Sequence, residues 1–199
     1  MKAIGVHVFG GGFTMGVQRV FDVVGQMEVH GLGQATVEDG LGLPFIMPKK
    51  GEDVVDSWLS HGKHEGCSFC YGNPRCTGFS VLNTAKGTVG SRGPWASQNI
   101  DIKQFCDYGV RANIPVLCWE SVQQAFTTGR PLLNKLRDEL FVPAGYRILH
   151  MLLNAATFRN AQHRKRYFFV AYKENLHFPI AVPDLPARHT TVKVWGTVS

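Results

Sequence analysis

The first thirty residues constrain the fold more than any other part of the chain. Residues 3–9, AIGVHVF, are apolar and rich in β-branched side chains, and they run directly into the glycine turn GGGFTMG. The turn is followed by VQRVF and then by a second apolar run, DVVGQMEV, with Glu28 near its end. This pattern predicts a strand, a glycine turn, a short helix and a second strand, which is how a Rossmann-type unit begins.

Apolar runs and helical segments alternate along the rest of the chain. We expect strands in CSFCYG, IPVLCWE, YRILHMLLNAA and RYFFVAYKE, and helices in IDIKQFCDYGVRAN, SVQQAF and GRPLLNKLRDELF. Weaker patterns favour a strand in GLPFIM and a short helix in GEDVVDSWLSHG, and GTVGSRGPWASQN is typical of a loop. The alternation predicts an α/β fold with a central, mostly parallel sheet. A length of 199 residues fits one domain over residues 1–199, with 179–199 as an irregular C-terminal tail.

The net charge of +6 is unevenly distributed along the chain. Residues 1–140 contain 13 Lys+Arg and 13 Asp+Glu, whereas residues 141–199 contain 8 and 2, with much of the excess in RNAQHRKRY. The cluster indicates either a polyanionic partner or a solvated basic face. No stretch reaches the roughly 20 apolar residues of a membrane span and no leader precedes the first strand, so we expect a soluble, cytoplasmic protein.

The five cysteines are an odd number and lack the spacing of a secreted disulfide framework, so reduced thiols are expected. The run HGKHEGCSFC spaces His61, His64, Cys67 and Cys70 as zinc ligands are spaced. Alternation along a strand would point Cys67 and Cys70 to opposite faces, so we predict no metal site. Cys76 lies in a turn, GNPRCTGFS, whose glycines and proline let a side chain project from the end of a strand. Alone, such a cysteine is more typical of buried structure than of a nucleophile.

Four segments together resemble the DNA cytosine-5 methyltransferases. They are GGGFTMG with DVVGQME, which is similar to the family's S-adenosylmethionine loop and following acidic residue; GNPRCTGFS, similar to its proline-cysteine motif; PVLCWESV, similar to its Glu-Asn-Val strand; and LNAATFRNAQHRKRYFFVA, similar to its Gln-x-Arg-x-Arg motif. The resemblance extends from about residue 4 to residue 172. It implies a Rossmann-like, S-adenosylmethionine-dependent methyltransferase fold, and transfer of a methyl group to C5 of cytosine in double-stranded DNA.

The resemblance also implies a role for individual residues. Cys76 would add to C6 of the cytosine, Glu120 would act as a buried acid at N3, and Arg164 and Arg166 would face O2 and the phosphates. The cofactor would be bound by Phe9, Gly10, Gly11, Gly12, Phe13, Glu28 and Pro74. The substrate-binding residues, which would contact the DNA or orient the turn that approaches it, would be Arg75, Ser80, Ser91, Arg92 and Gln162.

The chain departs from the family pattern in three places. Arg75 and Thr77 flank the cysteine where the family has Pro and Gln, and Ser121 stands where it has Asn. The family continues with a target-recognition domain, whereas only 27 residues follow Tyr172 here. We therefore expect a short recognition context, or a second protein chain that supplies target recognition, in a bacterial or virus-infected bacterial cell. Three alternatives stay open: the catalytic half of a two-chain enzyme, a non-catalytic nucleic-acid-binding module, and an RNA substrate.

Overall fold

The computed structural model describes residues 1–75, 77–79, 93–158 and 162–176. In this part of the chain seven strands form one sheet with the order β3-β2-β1-β4-β5-β7-β6. The strands are β1 (Lys2–Val6), β2 (Asp22–Met27), β3 (Phe45–Ile46), β4 (Cys67–Gly72), β5 (Val116–Ser121), β6 (Tyr146–Asn154) and β7 (Lys165–Lys173). Strands β1 to β5 pair in parallel, and β7 is antiparallel to both β5 and β6. The predicted α/β fold with a mostly parallel central sheet is confirmed.

The helices are short and lie between the strands. They are α1 (Gly12–Val17), α2 (Val54–Ser60), α3 (Ile100–Arg111), α4 (Gln124–Thr127) and α5 (Arg130–Leu136), with π-helical turns at Thr36–Gly40 and Arg137–Phe141 and 3₁₀ turns at Ser97–Asn99 and Ala155–Phe158. No helix in the described ranges is long and apolar enough to cross a membrane. The helix expected in VQRVF is wrong by several residues, because α1 begins inside the glycine turn and ends at Val17. The helix expected in SVQQAF begins later, at Gln124.

The main hydrophobic core lies between the sheet and α2, α3 and α5. Trp58 of α2 and Phe105 of α3 pack there against Trp119 of β5 and Phe169 of β7, all of them fully buried. The Trp119 and Phe169 rings stack with their centroids 5.4 Å apart. A smaller cluster under α1 and the turn at Thr36–Gly40 covers part of the other face.

A β-bulge changes the expected orientation of two cysteines. Along the β1–β4 pair, Lys2 lies opposite Cys67 but Ala3 lies opposite Phe69, so one residue of β4 is skipped. Cys67 and Cys70 consequently pack into the same core cluster, and the expectation that they point to opposite faces is wrong. Among the described residues there is still no group of three side chains that could hold a metal ion. Burial raises the pKa of the Cys67 thiol to about 11.

The strand order determines where a ligand site can form. β1 lies between β2 and β4, so the order of the strands reverses there and leaves a crevice at the carboxyl ends of the parallel strands. Because β7 is antiparallel to β5, its first residues lie beside the last residues of β5, with Glu120 opposite Phe168. The glycine turn after β1, the GNPRCTGFS turn after β4, the end of β5 and the start of β7 therefore meet at one edge of the sheet.

Candidate active site

The glycine turn after β1 contains two kinds of glycine. Gly11 has a φ of +79°, and a Cβ atom built on it would lie 2.4 Å from Cδ1 of Leu41. Cβ atoms at Gly10 and Gly12 would have no heavy atom of the described residues within 4 Å. Gly11 is therefore needed for the turn itself, whereas Gly10 and Gly12 leave open space beside the backbone that a ligand can approach.

Glu28 holds the same turn. Its Oε1 accepts hydrogen bonds from the backbone N–H groups of Val8 (2.5 Å) and Phe9 (2.7 Å) and from Nε2 of Gln26 (3.1 Å). Nε2 of Gln26 also donates to the carbonyl of Phe9 at 2.7 Å, which stabilises Phe9 in a left-handed conformation with φ +59°. Glu28 is 4% exposed, and burial raises the pKa of its carboxyl to about 7 against the opposing effect of these hydrogen bonds.

A buried chain of hydroxyl groups extends this network into the sheet. The Tyr71 hydroxyl donates to Thr14 Oγ1 at 2.9 Å, and Thr14 Oγ1 donates to Oε1 of Gln26 at 3.0 Å. Tyr71 belongs to β4 and Gln26 to β2, so the turn is tied to both strands that neighbour β1. This network stabilises one backbone conformation of the turn.

Glu120, near the end of β5, is held at both carboxylate oxygens. Nε of Arg166 lies 2.6 Å from Oε1, and Nδ2 of Asn73 donates to Oε2 and, at 3.3 Å, to the Glu120 backbone carbonyl. The side chain is 17% exposed. Burial raises the pKa of the Glu120 carboxyl, and the positive charges of Arg166 and Arg164 oppose that shift. The carboxyl is therefore partly buried rather than fully buried, and its pKa is shifted toward the protonated acid.

One cavity of about 490 Å³ connects the glycine turn with Glu120. It is lined by Val8, Phe9, Gly10, Gly12, Phe13, Asn73, Glu120 and Phe168. The Phe13 ring meets Tyr71 and Phe168 edge to face, with centroids 5.4 and 6.4 Å away. Four of the predicted cofactor residues and the predicted acid therefore line the same cavity. The lining is mostly apolar and contains a few polar groups, as in typical ligand sites.

A second cavity lies beside the first, between the end of β6 and the start of β7. This cavity, of about 420 Å³, is lined by Leu153, Ala155, Phe158, Arg164, Arg166 and Phe168, and it shares Phe168 with the first. Arg164 and Gln162 are exposed, and Arg166 is partly buried against Glu120. Arg166 thus lies next to the acid, and Arg164 lines the same cavity as Arg166.

The GNPRCTGFS turn is described on both sides of its cysteine. Pro74 is buried, and Arg75 forms two hydrogen bonds with Asp101, from Nε at 2.6 Å and from Nη2 at 2.8 Å. The guanidinium expected to contact DNA is therefore paired with a buried carboxylate. Four predicted site residues, Cys76, Ser80, Ser91 and Arg92, lie outside the described residues.

The solved structures that share this fold are methyltransferases. A DNA modification methyltransferase encoded within an Escherichia coli prophage matches with a TM-score of 0.68 and 20% identity, over 91% of this chain and 49% of that one. A mutant of Spodoptera frugiperda DNMT2 matches with a TM-score of 0.62 and 15% identity, over 92% and 53%. Schizosaccharomyces pombe Dnmt2 matches with a TM-score of 0.60 and 14% identity, over 87% and 51%. The fold is therefore that of the methyltransferases, and the chain spans about half the length of these structures.

The sequence comparisons identify the family within that class. The family model for C-5 cytosine-specific DNA methylases matches residues 63–195, and the chain belongs to this family. An Oceanobacillus iheyensis protein that carries the name of a type II methyltransferase is 27% identical over 128 residues, which are 61% of this chain and 27% of that protein.

Sequence reasoning missed several residues of the site. Asn73 and Phe168 line the cavity, Gln26 bonds to Glu28, and Asp101 binds Arg75. Gln26 carried one usable signal, because it lies two positions before Glu28 near the end of β2. Asn73 lies within the GNPRCTGFS turn, but its bond to Glu120 joins positions that are 47 apart in the sequence.

Proposed function

We propose that this chain transfers a methyl group from S-adenosylmethionine to C5 of cytosine in DNA, through a covalent bond between Cys76 and C6 of the base. The observation that supports it most is the single cavity of about 490 Å³ that joins the glycine turn to Glu120. Membership of the C-5 cytosine-specific DNA methylase family supports the same reaction.

The residues of the glycine turn fit S-adenosylmethionine, which supplies an electrophilic methyl group when bound. The open space beside Gly10 and Gly12 admits a ligand against the backbone. Phe9 and Phe13 line the apolar part of the cavity. The Glu28 carboxyl, buried directly after β2, is the group that we propose to accept hydrogen bonds from ribose hydroxyls. We also propose that Pro74, which is buried and directly precedes Arg75, contributes to the cofactor site.

Cys76 would open the reaction as a thiolate. Its sulfur adds to C6, the C5–C6 π electrons move toward C5 and N3, and N3 takes the Glu120 proton. C5 would then take the methyl group as its bond to the sulfonium sulfur breaks, and S-adenosylhomocysteine would leave with the electron pair of that bond. Loss of the C5 proton to a base such as water, and expulsion of the thiolate, restore the aromatic ring, and the N3 proton returns to Glu120. The thiolate at Cys76 and the acid at Glu120 are regenerated, and the net proton released is the one from C5.

The partners of Glu120 suit an acid that must release and regain a proton. Burial favours the protonated form, whereas Arg166 at 2.6 Å favours the carboxylate, so neither form is strongly excluded. Arg166 also offers guanidinium N–H groups to the O2 side of the base as charge develops there. Asn73 fixes the orientation of the carboxyl group by bonding to its Oε2 and to the Glu120 backbone.

DNA would reach this cavity with its target nucleotide rotated out of the duplex, at a cost of a few kcal/mol. Arg164 and Gln162, both exposed at the start of β7, are proposed contacts to the DNA backbone. Ser80, Ser91 and Arg92 remain predicted contacts. With few groups available to read bases, each worth about 1 to 3 kcal/mol of discrimination, we propose a recognition context of two or three bases, or a second protein chain that adds to it.

Incubation of the purified chain with duplex DNA containing 5-fluorocytosine and S-adenosylmethionine tests the proposal. Fluorine cannot leave C5 as a proton does, so the covalent adduct should accumulate and be mapped to Cys76 by mass spectrometry. Cys76→Ala should abolish the adduct, and the matched control Cys67→Ala should keep it, because Cys67 is a buried core thiol.

The other outcomes are equally informative. An adduct that survives Cys76→Ala refutes the assigned nucleophile. Transfer that requires a second protein identifies a two-chain enzyme, DNA binding without transfer identifies a binding module, and transfer to RNA but not DNA corrects the substrate.

A further inference from the structure

The described residues on either side of Cys76 are both held by one segment, residues 93–101. Before the cysteine, Arg75 is bonded to Asp101; after it, the Gly78 carbonyl accepts a hydrogen bond from the N–H of Gly93 at 2.9 Å. Gly78 also packs so closely on this segment that a Cβ atom there would lie 2.6 Å from Oδ1 of Asn99. The nucleophile turn therefore rests on the residues that lead into α3.

Asp101 makes the most extensive of these contacts. Its Oδ2 and Oδ1 accept from Nε and Nη2 of Arg75. The Asp101 side chain is 3% exposed and that of Arg75 is 35% exposed. Asp101 thus fixes the side chain of the residue directly before Cys76, with a bidentate geometry that adds orientation as well as energy.

The position of Asp101 is itself rigid. It lies in the first turn of α3, where a carboxylate is favoured by the helix dipole. The same helix buries Ile102, Phe105 and Tyr108 in the core. Because α3 is anchored in the core, Asp101 holds Arg75 at a fixed position relative to the core.

His7 completes the surroundings of Asp101 without adding a charge. Its Nδ1 lies 3.9 Å from Oδ2 of Asp101, and burial lowers the pKa of the imidazole to about 4, so the ring is neutral at neutral pH. Its backbone carbonyl accepts the N–H of Asn73 at 3.1 Å, which links the end of β1 to the same turn. Arg75 therefore balances the charge of Asp101 at neutral pH.

We propose that Asp101 is a positioning residue for the nucleophile turn and that Arg75 serves it as an internal tether rather than as a DNA contact. The inference rests on the proposed function for its kinetic consequence, although the tether itself does not. Asp101 touches neither base nor cofactor in this account, and it acts through the backbone that carries Cys76. A misplacement of about 1 Å at a reacting atom costs on the order of 10²-fold in rate, so loss of the tether should slow adduct formation.

The test compares Asp101→Asn and Arg75→Gln with Asp107→Asn, a control on the same helix whose carboxylate forms an exposed ion pair with Arg111. Single-turnover adduct formation on 5-fluorocytosine DNA should be slowed by about 10- to 100-fold in the first two variants and unchanged in the control. Affinity for the same DNA should be unchanged in all three. Arg75→Lys, which keeps one charged donor, should recover part of the rate.

Hydrogen exchange of the peptide covering residues 72–79 provides a readout that does not depend on activity. Exchange there should rise in Asp101→Asn and Arg75→Gln relative to Asp107→Asn. Weaker DNA binding by Arg75→Gln together with tighter binding by Asp101→Asn would show a DNA contact and overturn the proposal, as would unchanged exchange in both variants. If the wild type forms no adduct, the proposed function fails, and the exchange data still decide the tether.

Discussion

The glycine turn after β1 and the described part of the turn after β4 are each held by a buried carboxyl group, but the two groups have different partners. Glu28 accepts from backbone amides of Val8 and Phe9, which are neutral donors. Asp101 accepts from the Arg75 guanidinium, which is charged. Burial raises the pKa of the Glu28 carboxyl to about 7. Burial also acts to raise the pKa of the Asp101 carboxyl, but the hydrogen bonds from Arg75 outweigh that effect, and the pKa lies below its usual value. A buried carboxyl group with neutral partners, such as Glu28, therefore changes its protonation state near neutral pH.

The two turns should therefore respond to pH in opposite directions. Because the pKa of Glu28 is higher in the folded state, the folded protein binds more protons than the unfolded chain between about 4.5 and 7, and the contribution of Glu28 to stability falls as pH rises through that window. Asp101 has a lowered pKa, so its contribution is present above the unfolded pKa of 3.8 and is lost as pH falls through the folded value.

Replacement of the tethering arginine should give the largest effect. Arg75→Leu leaves the Asp101 carboxylate buried without its charged partner, and removing one partner of a buried pair costs roughly 3–5 kcal/mol. Since a third of the Arg75 side chain is exposed, we expect about 2 to 3 kcal/mol of destabilisation in urea unfolding at pH 7.5.

Arg111→Leu is the matched control, because Arg111 pairs with Asp56 and Asp107 at the surface. Its cost should stay below about 1 kcal/mol. Equal costs for the two variants would mean that Asp101 is not a buried charge in solution.

Glu28→Gln should have the opposite sign at alkaline pH. A glutamine oxygen can still accept from Val8 and Phe9, and the cost of a buried negative charge disappears, so we expect the free energy of unfolding to rise by about 1 to 2 kcal/mol at pH 8. The gain should shrink to a few tenths at pH 4.5, where the wild-type carboxyl is protonated in the folded protein. Thermal melting across pH 4.5–8 measures both values.

Affinity for S-adenosylmethionine gives the second half of that experiment. The variant should bind it more weakly, because an amide is a poorer acceptor for ribose hydroxyls than a carboxylate. A stabilisation that is independent of pH would show that Glu28 titrates normally.

Sequence patterns predicted the parts of the site that follow directly from a strand. Glu28 comes directly after the apolar run of β2, and Glu120 is near the end of β5, so the carboxyl ends of parallel strands brought both to one edge of the sheet. The resemblance to the family added Arg166, whose place beside Glu120 depends on the antiparallel pairing of β7 with β5. Periodicity alone could not supply that pairing.

The contacts that orient these groups could not be predicted. Asp101 is an ordinary acidic residue in the first turn of a helix, and its partner Arg75 is 26 positions away. Similarly, the strand periodicity that predicted opposite faces for Cys67 and Cys70 failed at a bulge, which only the pairing of β4 with β1 reveals. Each of these features depends on how elements pack together, and single-residue propensities contain no information on that.

The smallest expected effect comes from two adjacent glycines of the turn after β1. Gly11→Ala forces a side chain into a left-handed backbone and against Leu41, so it should cost about 1 to 2 kcal/mol of stability. Gly10→Ala places its methyl group in open space and should change stability by less than about 0.5 kcal/mol. If the cofactor lies in that space, Gly10→Ala should nevertheless weaken S-adenosylmethionine binding measured by calorimetry. Unchanged affinity would mean that the open space beside Gly10 is not where the cofactor binds, and that the amides held by Glu28 serve the turn alone.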